Sequence, residues 1–263
     1  MKGIFWNSRG LSDLAKYRFL SDLSREQKLD LIALLETGKK DFSKTVLDNI
    51  CGGQEFIWRW SEPHGRSGGI LLGINLDFFD IGSIDEGDFY VKFCVRNKVN
   101  GFYWVLIAVY EAAQAEHKES FLTELAQTCT KESDPILVGG DFNIIRSPQE
   151  KNNDRYDDRW PFLFNAIIDS LDLRELDLSN RKYTWAKSRD TPIFERLDRI
   201  LVSTEWESKF PLATVQALTR EISDHTPLLL DTGNGTHGNK QPGFKFELSW
   251  LLRDDFNELV ARI

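Results

Sequence analysis

Apolar runs alternate with amphipathic stretches through the first part of the chain. Gly3 to Trp6 and Asp30 to Leu35 read as buried strands. Between them Leu14, Phe19, Leu20 and Leu23 recur at helical spacing behind Ser12, a residue type that caps helices. Four further strand-like runs follow with no helical pattern between them: Glu55 to Trp60, Gly69 to Ile74, Phe89 to Val95 and Phe102 to Tyr110. Such runs are expected to pair as antiparallel hairpins. A helix is expected from about Ala115 to Cys129, with Phe121, Leu122 and Leu125 on one face, and Pro135 then opens a strand over Ile136 to Val138. A helix near Phe162 to Leu171 comes next, followed by strands at Leu197 to Val202, Ala213 to Leu218 and Pro227 to Leu230. Mixed α and β, then strand-rich, then mixed again is the order expected of two packed sheets with helices outside.

Thr232 to Gln241 carries Gly233, Gly235 and Gly238 among polar residues, which is the composition of a linker. The expected organisation is one domain over residues 1–231, a linker over 232–242 and the start of a following segment over 243–263. In that last segment Phe244, Phe246, Leu248, Trp250 and Leu251 are apolar and a helix is expected from about Asp254, with no stop signal before Ile263. A short tail folded back on the domain is the competing reading.

Composition narrows the class. The 263 residues are 41% hydrophobic and 28% charged, as in ordinary globular proteins and unlike disordered chains. No apolar stretch nears the roughly 20 residues of a membrane span, and no secretory apolar region follows Lys2, so nucleus and cytoplasm are the expected compartments and no membrane partner is expected. Cys51, Cys94 and Cys129 are odd in number and widely spaced, which suits reduced core thiols better than a disulfide framework or a zinc site. The net charge of −8 argues against tight nonspecific binding of nucleic acid. Between Arg181 and Arg199, however, six basic residues face three acidic ones. A solvated loop of mixed charge is the plain alternative there.

Gly139-Gly140-Asp141-Phe142-Asn143 directly follows the run Ile136 to Val138. The two glycines are expected to turn the chain sharply, and Asp141 and Asn143, two apart, share a side. A turn closed by Asx hydrogen bonds would read the same way. Glu36 ends the run Leu31 to Leu35, Asn7 follows Gly3 to Trp6, Asp198 sits within Leu197 to Val202, and Asp224-His225 precedes the last strand. A lone carboxylate at a strand end is usually a cap or a surface group. Several polar groups on separate strand ends point to a site, because α/β sheets bind ligands there. The residue types suit hydrolysis of a phosphate ester. Hard Mg²⁺ takes oxygen ligands such as Glu36, Asp224 and the amide oxygen of Asn7. His225 could meet the phosphate while Asp198 fixes its tautomer, and Asp141 could take a proton from water that Asn143 orients. Tyr110 could donate to the phosphate or the departing oxygen, and it reads equally as a strand-end aromatic half in the core.

In order, Trp6-Asn7-Ser8-Arg9-Gly10-Leu11, Leu35-Glu36-Thr37, Val109-Tyr110, Gly139 to Asn143, Arg196-Leu197-Asp198-Arg199-Ile200-Leu201 and Ser223-Asp224-His225-Thr226-Pro227-Leu228 resemble the motifs of the endonuclease/exonuclease/phosphatase superfamily. The resemblance covers about residues 1–231. Gly65-Arg66-Ser67-Gly68-Gly69, Tyr183-Thr184-Trp185 and Phe244-Lys245-Phe246-Glu247 are most similar to the endonuclease domain of plant LINE-type (non-LTR) retrotransposon polyproteins. That resemblance implies an α/β fold, a four-layered α/β/β/α sandwich of two mixed sheets flanked by helices. It also implies a Mg²⁺-dependent phosphodiesterase, with Mn²⁺ as a substitute ion, that nicks double-stranded DNA and leaves a 3′-hydroxyl primer. A covalently continuous reverse transcriptase would follow.

The same resemblance places Asn7, Glu36 and Asp224 at the metal, Tyr110 at the phosphate, Asp141 and Asn143 at the nucleophile, and Asp198 behind His225. Arg146, Arg181, Lys182, Thr184, Trp185 and Lys187 are the expected DNA contacts. Two departures stand out. Arg9 occupies the place where apurinic endonucleases of the superfamily carry a second metal-side aspartate. Glu111 follows Tyr110 where a small residue is usual, and its carboxylate is expected to face the phosphate and repel it or recruit another cation. Gly65 to Gly69 lacks the G-K-[ST] ending of a phosphate-cradling loop and reads as a turn. A superfamily phosphatase acting on a small phosphate ester or phosphoinositide, and a catalytically weakened binding domain, are the alternatives.

Overall fold

Two sheets pack face to face, with helices on their outer faces, in a computed structural model that describes residues 1–63, 68–111, 114–187, 191–220 and 222–233. The early strands are β1 (Lys2–Asn7), β2 (Leu31–Leu35), β3 (Phe56–Ser61), β4 (Ile70–Asn75) and β5 (Phe79–Glu86). After them come β6 (Tyr90–Asn97), β7 (Tyr103–Tyr110), β8 (Ile136–Asp141), β9 (Leu173–Glu175) and β10 (Leu178–Ser179). The last are β11 (Trp185–Lys187), β12 (Ile193–Glu195), β13 (Asp198–Ser203), β14 (Thr214–Ala217) and β15 (Leu228–Asp231). The α-helices are α1 (Leu14–Gln27), α2 (Lys44–Ile50), α3 (Lys118–Thr130), α4 (Arg159–Ser170) and α5 (Thr204–Lys209). One sheet has the order β10-β14-β15-β1-β2-β4-β3, the other β5-β6-β7-β8-β13-β9, and β11-β12 form a separate ribbon.

Three apolar clusters explain the four layers. Between the sheets, Phe5, Ala33 and Leu72 of one meet Phe93, Leu106 and Leu137 of the other. Leu20, Leu23, Leu47 and Ile50 from α1 and α2 cover the outer face of the first sheet, and Phe121, Leu125, Phe164 and Ile168 from α3 and α4 cover that of the second. A strand covered on both faces needs apolar residues at every position, which is why β2 is the unbroken run Leu-Ile-Ala-Leu-Leu, buried throughout. The parallel pairs β1–β2 and β7–β8 each carry a crossover helix, α1 and α3, and the short β10 also runs parallel to β14, while β3–β4 and β6–β7 are the antiparallel pairs expected.

Several sequence expectations are corrected. The cap of α1 is Asp13, whose carboxylate accepts from the Ala15 amide, not Ser12. Strand β5 was missing from the pattern because only Phe79 is buried and the rest lies largely exposed at the sheet edge. Gly139 and Gly140 do not make a turn; both lie inside β8. A Cβ on Gly139 would stand 2.5 Å from the Phe5 ring, and one on Gly140 only 2.0 Å from the Val109 carbonyl oxygen. Close approach of neighbours is therefore the reason for glycine. Gly65, Arg66, Ser67, most of the linker, the apolar group at 244–251 and the helix expected from Asp254 lie outside the described residues. Among the described residues no helix is long and apolar enough to cross a membrane.

Candidate active site

Strand register assembles the site at one rim. In the second sheet Tyr110 pairs with Asp141 across β7–β8, and Asp141 pairs with Asp198 across β8–β13, so three polar residues stand abreast. In the first sheet Asn7 pairs with Leu35, which puts Glu36 beside it, and His225 enters just before β15, whose Leu228 pairs with Phe5. Ser223 locks this last loop: its hydroxyl donates to the Asn7 carbonyl and accepts from the His225 amide, at 2.9 and 3.1 Å.

Asp141 is wholly buried and closely held. Its Oδ2 accepts from the side-chain amides of Asn7 and Asn143 at 2.8 and 3.1 Å, and its Oδ1 accepts from the Asn143 backbone amide at 3.0 Å. The Asn7 amide also donates to Glu36 at 3.1 Å. Its oxygen, expected to face a metal, instead accepts from the Arg9 backbone amide at 3.0 Å. On the far side His225 Nε2 lies 3.8 Å from Asp141 Oδ2, while His225 Nδ1 meets the Asp198 carboxylate at 2.9 Å. Arg9, Glu36 and Asn143 all take left-handed backbone angles, with φ of 51°, 50° and 47°. Non-glycine residues in that region are uncommon and gather where surrounding structure holds them for a purpose.

The electrostatics follow from this packing. Burial raises the Asp141 carboxyl above the ordinary range, opposed by His225 and the donated amides. Burial alone would lower His225, but Asp198 and Asp141 outweigh it and lift the imidazole to about 9. Burial and the nearby carboxylates Glu36 and Asp141 push the Tyr110 phenol upward, so it is a proton donor at neutral pH.

Glu111 overturns one expectation. Its side chain is fully buried and does not face the site opening. It pairs with Lys118 Nζ at 3.1 Å; the same ammonium donates to the Asn143 carbonyl at 2.8 Å, and the Asn143 amide donates to the Glu111 carbonyl at 2.5 Å. The residue therefore braces Asn143. Lys118 carried no signal in the sequence, since a lysine opening a helix is ordinary.

The expected DNA contacts divide. Trp185 donates its Nε1 proton to Asp224 at 3.0 Å, and its ring lies 6.5 Å from the His225 ring. Lys182 stands over the Tyr183 ring at 5.2 Å, Arg181 donates to the Thr226 hydroxyl at 3.2 Å, and Lys187 is exposed. Thr184 is corrected: it is fully buried, and its hydroxyl accepts from the Leu197 and Asp198 amides, so it positions β13 and is closed to DNA. Arg146 has its guanidinium on Asn165 and Glu175 at 2.7 and 2.9 Å. Arg196 and the buried Arg199 join it on Glu175, and Arg199 also meets Glu150. These three arginines form an internal ion network, and the basic character counted between Arg181 and Arg199 shrinks accordingly.

Two sets of side chains could hold a metal. Asp141, Asp198 and His225 place one ligand atom each within 4.8 Å of one another. Asp198, however, already spans His225 Nδ1 with both oxygens, the arrangement that orients an imidazole. Glu36 and Asp224 flank the Arg9 guanidinium, and Asp224 Oδ1 is buried with no hydrogen bond, its nearest cation being Arg9 Nε at 3.3 Å. Carboxylate oxygens with spare lone pairs fit a hard divalent cation that keeps several waters.

The model of the Endonuclease/Exonuclease/phosphatase family matches residues 4–225. A search of curated proteins finds no match. Among solved structures, the endonuclease domain of TRAS1, a telomere-specific non-LTR retrotransposon, is similar with a TM-score of 0.67 at 14% identity, covering 88% of this chain and 97% of that one. The 3′ phosphatase NExo from Neisseria, bound to a product DNA hairpin, is similar with a TM-score of 0.65 at 19% identity, covering 88% and 98%. The human Nocturnin catalytic domain is similar with a TM-score of 0.59 at 14% identity, covering 88% and 92%.

Proposed function

The chain belongs to the endonuclease/exonuclease/phosphatase family, and on that premise we propose that it is a DNA endonuclease that hydrolyses a phosphodiester bond in one strand of a duplex. The observation that carries this reading is the line Asp198–His225–Asp141, with Asn7 and Asn143 bound to the last carboxylate. Asp141, raised toward neutrality by burial, takes the proton of a water that Asn143 orients. His225, kept cationic by Asp198, meets the charge that grows on the phosphate oxygens. Tyr110 donates its proton to the phosphate or to the departing 3′ oxygen. Glu36 and Asp224 would hold Mg²⁺ or Mn²⁺, which supplies positive charge against the developing phosphate charge.

Trp185 beside His225, with Arg181, Lys182 and Lys187 near it in the chain, supports a polynucleotide substrate: an aromatic face and backbone-reaching cations suit DNA. The order of sequence motifs and the likeness to a retrotransposon endonuclease domain support a role in nicking target DNA for integration. A second reading, a phosphatase acting on a small ester, is favoured by the cleft beside Tyr110, lined by Asp88, Phe89, Gln114 and His117. Supercoiled plasmid with and without Mg²⁺ separates them. Conversion to open circle that EDTA abolishes is the expected result. Phosphate release from phosphoinositides with intact plasmid would overturn the endonuclease.

A further inference from the structure

Arg9 stands between two acids of the site. Its Nη1 lies 3.5 Å from Glu36 Oε2 and its Nε 3.3 Å from Asp224 Oδ1. The loop that carries it is firmly held. Lys16, itself buried, donates from Nζ to the carbonyls of Ser8, Arg9 and Gly10 at 2.6, 3.2 and 2.9 Å. The amides of Gly10 and Leu11 donate to the carbonyls of Glu36 and Thr37 at 2.6 and 2.8 Å. Arg9 keeps a left-handed backbone although it is not glycine, a conformation that persists only where its surroundings impose it. The backbone is thus fixed, while the guanidinium end is half exposed and can turn outward.

We propose that Arg9 is a resident counter-cation of the Glu36–Asp224 pair that competes with a divalent metal for these carboxylates and so limits how tightly the site takes up metal. The inference rests on the reading of Glu36 and Asp224 as the metal-side acids. A guanidinium within 3.5 Å of both lowers the negative potential that a dication meets, and the two cations cannot occupy the same oxygens. The other side-chain donors to these acids are neutral: the Asn7 amide and the Tyr110 phenol on Glu36, and the Trp185 indole on Asp224. Lys16 hydrogen-bonds backbone carbonyls and acts on these acids through space, as His225 does on Asp224, so among the described residues Arg9 is the cation in contact with both. Metal entry therefore requires Arg9 to leave.

The test is Mn²⁺ binding to the full chain, followed by electron paramagnetic resonance of the free ion. Arg9→Gly, which suits the left-handed backbone, and Arg9→Gln should each bind Mn²⁺ on the order of tenfold more tightly than wild type. Arg9→Lys should stay near wild type, and Arg18→Ala, which removes an exposed charge from α1, should change nothing. The gain must vanish when Glu36→Gln is added to Arg9→Gly. The melting temperature should also rise more on Mn²⁺ addition for Arg9→Gln than for wild type, by linkage. Binding no tighter than wild type, or a gain that survives Glu36→Gln, would overturn the competition. In those two cases wild-type Mn²⁺ binding that is itself lost in Glu36→Gln leaves the metal reading standing. No Mn²⁺ binding by any form overturns both.

Discussion

The carboxyl of Glu111 is buried against Lys118, and burial pushes its pKa up to about 8 although Lys118 opposes the rise. Because the folded value lies above the ordinary 4.5, folding favours the protonated form. The stability this supplies is complete below about pH 4.5 and is lost as pH rises through 8. Glu111→Gln should therefore lose less melting temperature than wild type between those limits; parallel curves would show that another group titrates. Glu111→Gly, which on the repulsion argument would speed nicking, should slow it, since it removes the partner that holds Lys118 against Asn143. For His225, folding also raises the value, from 6.5 to about 9, so its cationic form persists through neutrality. Asp198→Asn removes the main source of that rise. The alkaline limb of the kcat/KM profile should move to lower pH, with a rate loss of about 10² or more at neutral pH, the usual scale for a proton-transfer group. An unmoved limb would separate His225 from the reaction.

Among the elements, β8 joins packing to chemistry. Its Gly139 lets the Phe5 ring of the facing sheet come close, and its Gly140, directly before Asp141, lets the β7 backbone come close. Gly139→Ala should destabilise the fold by about 1–3 kcal/mol, the range for overpacking, measured by urea unfolding. Phe5→Leu in the same chain should recover part of the loss, because the two sites share one clash. No recovery would place the strain elsewhere. Elements buried on both faces were readable from the apolar pattern: β2 is an unbroken apolar run, and β1 and β4 carry polar residues only at their ends. Edge elements were not. Strand β5 is mostly exposed, and α2 and α5 are only seven and six residues long, so they follow neighbours rather than their own periodicity.

At the scale of the whole molecule, both sheets are complete by Asp231, and Thr232 fastens the end of the described region to the beginning. Its amide donates to the Met1 carbonyl at 3.0 Å, and its hydroxyl accepts from the Met1 amino group at 2.9 Å. A chain ending at Gly233 should unfold cooperatively and nick plasmid at the full-chain rate, whereas one ending at Asp231 should melt lower. Loss of folding at Gly233 would show that residues beyond it belong to the domain. Local sequence already carried the two-sheet plan, the covered strands and the placement of Asn7, Glu36, Tyr110, Asp141, Asp198 and His225 at or near strand ends. Hydrophobic period and strand-end position are local properties, readable in a window of a few residues. The burial of Glu111, the scaffold roles of Thr184 and Arg199, and the placement of Arg9 between two acids came from the folded packing. Those outcomes depend on which strand ends share a rim, and register sets that across long separations: Asn7 meets Asp141 from 134 residues away, and Trp6 reaches the His225 carbonyl from 219. Burial and pairing of a charge are properties of the partners that arrive, and no window of sequence contains them.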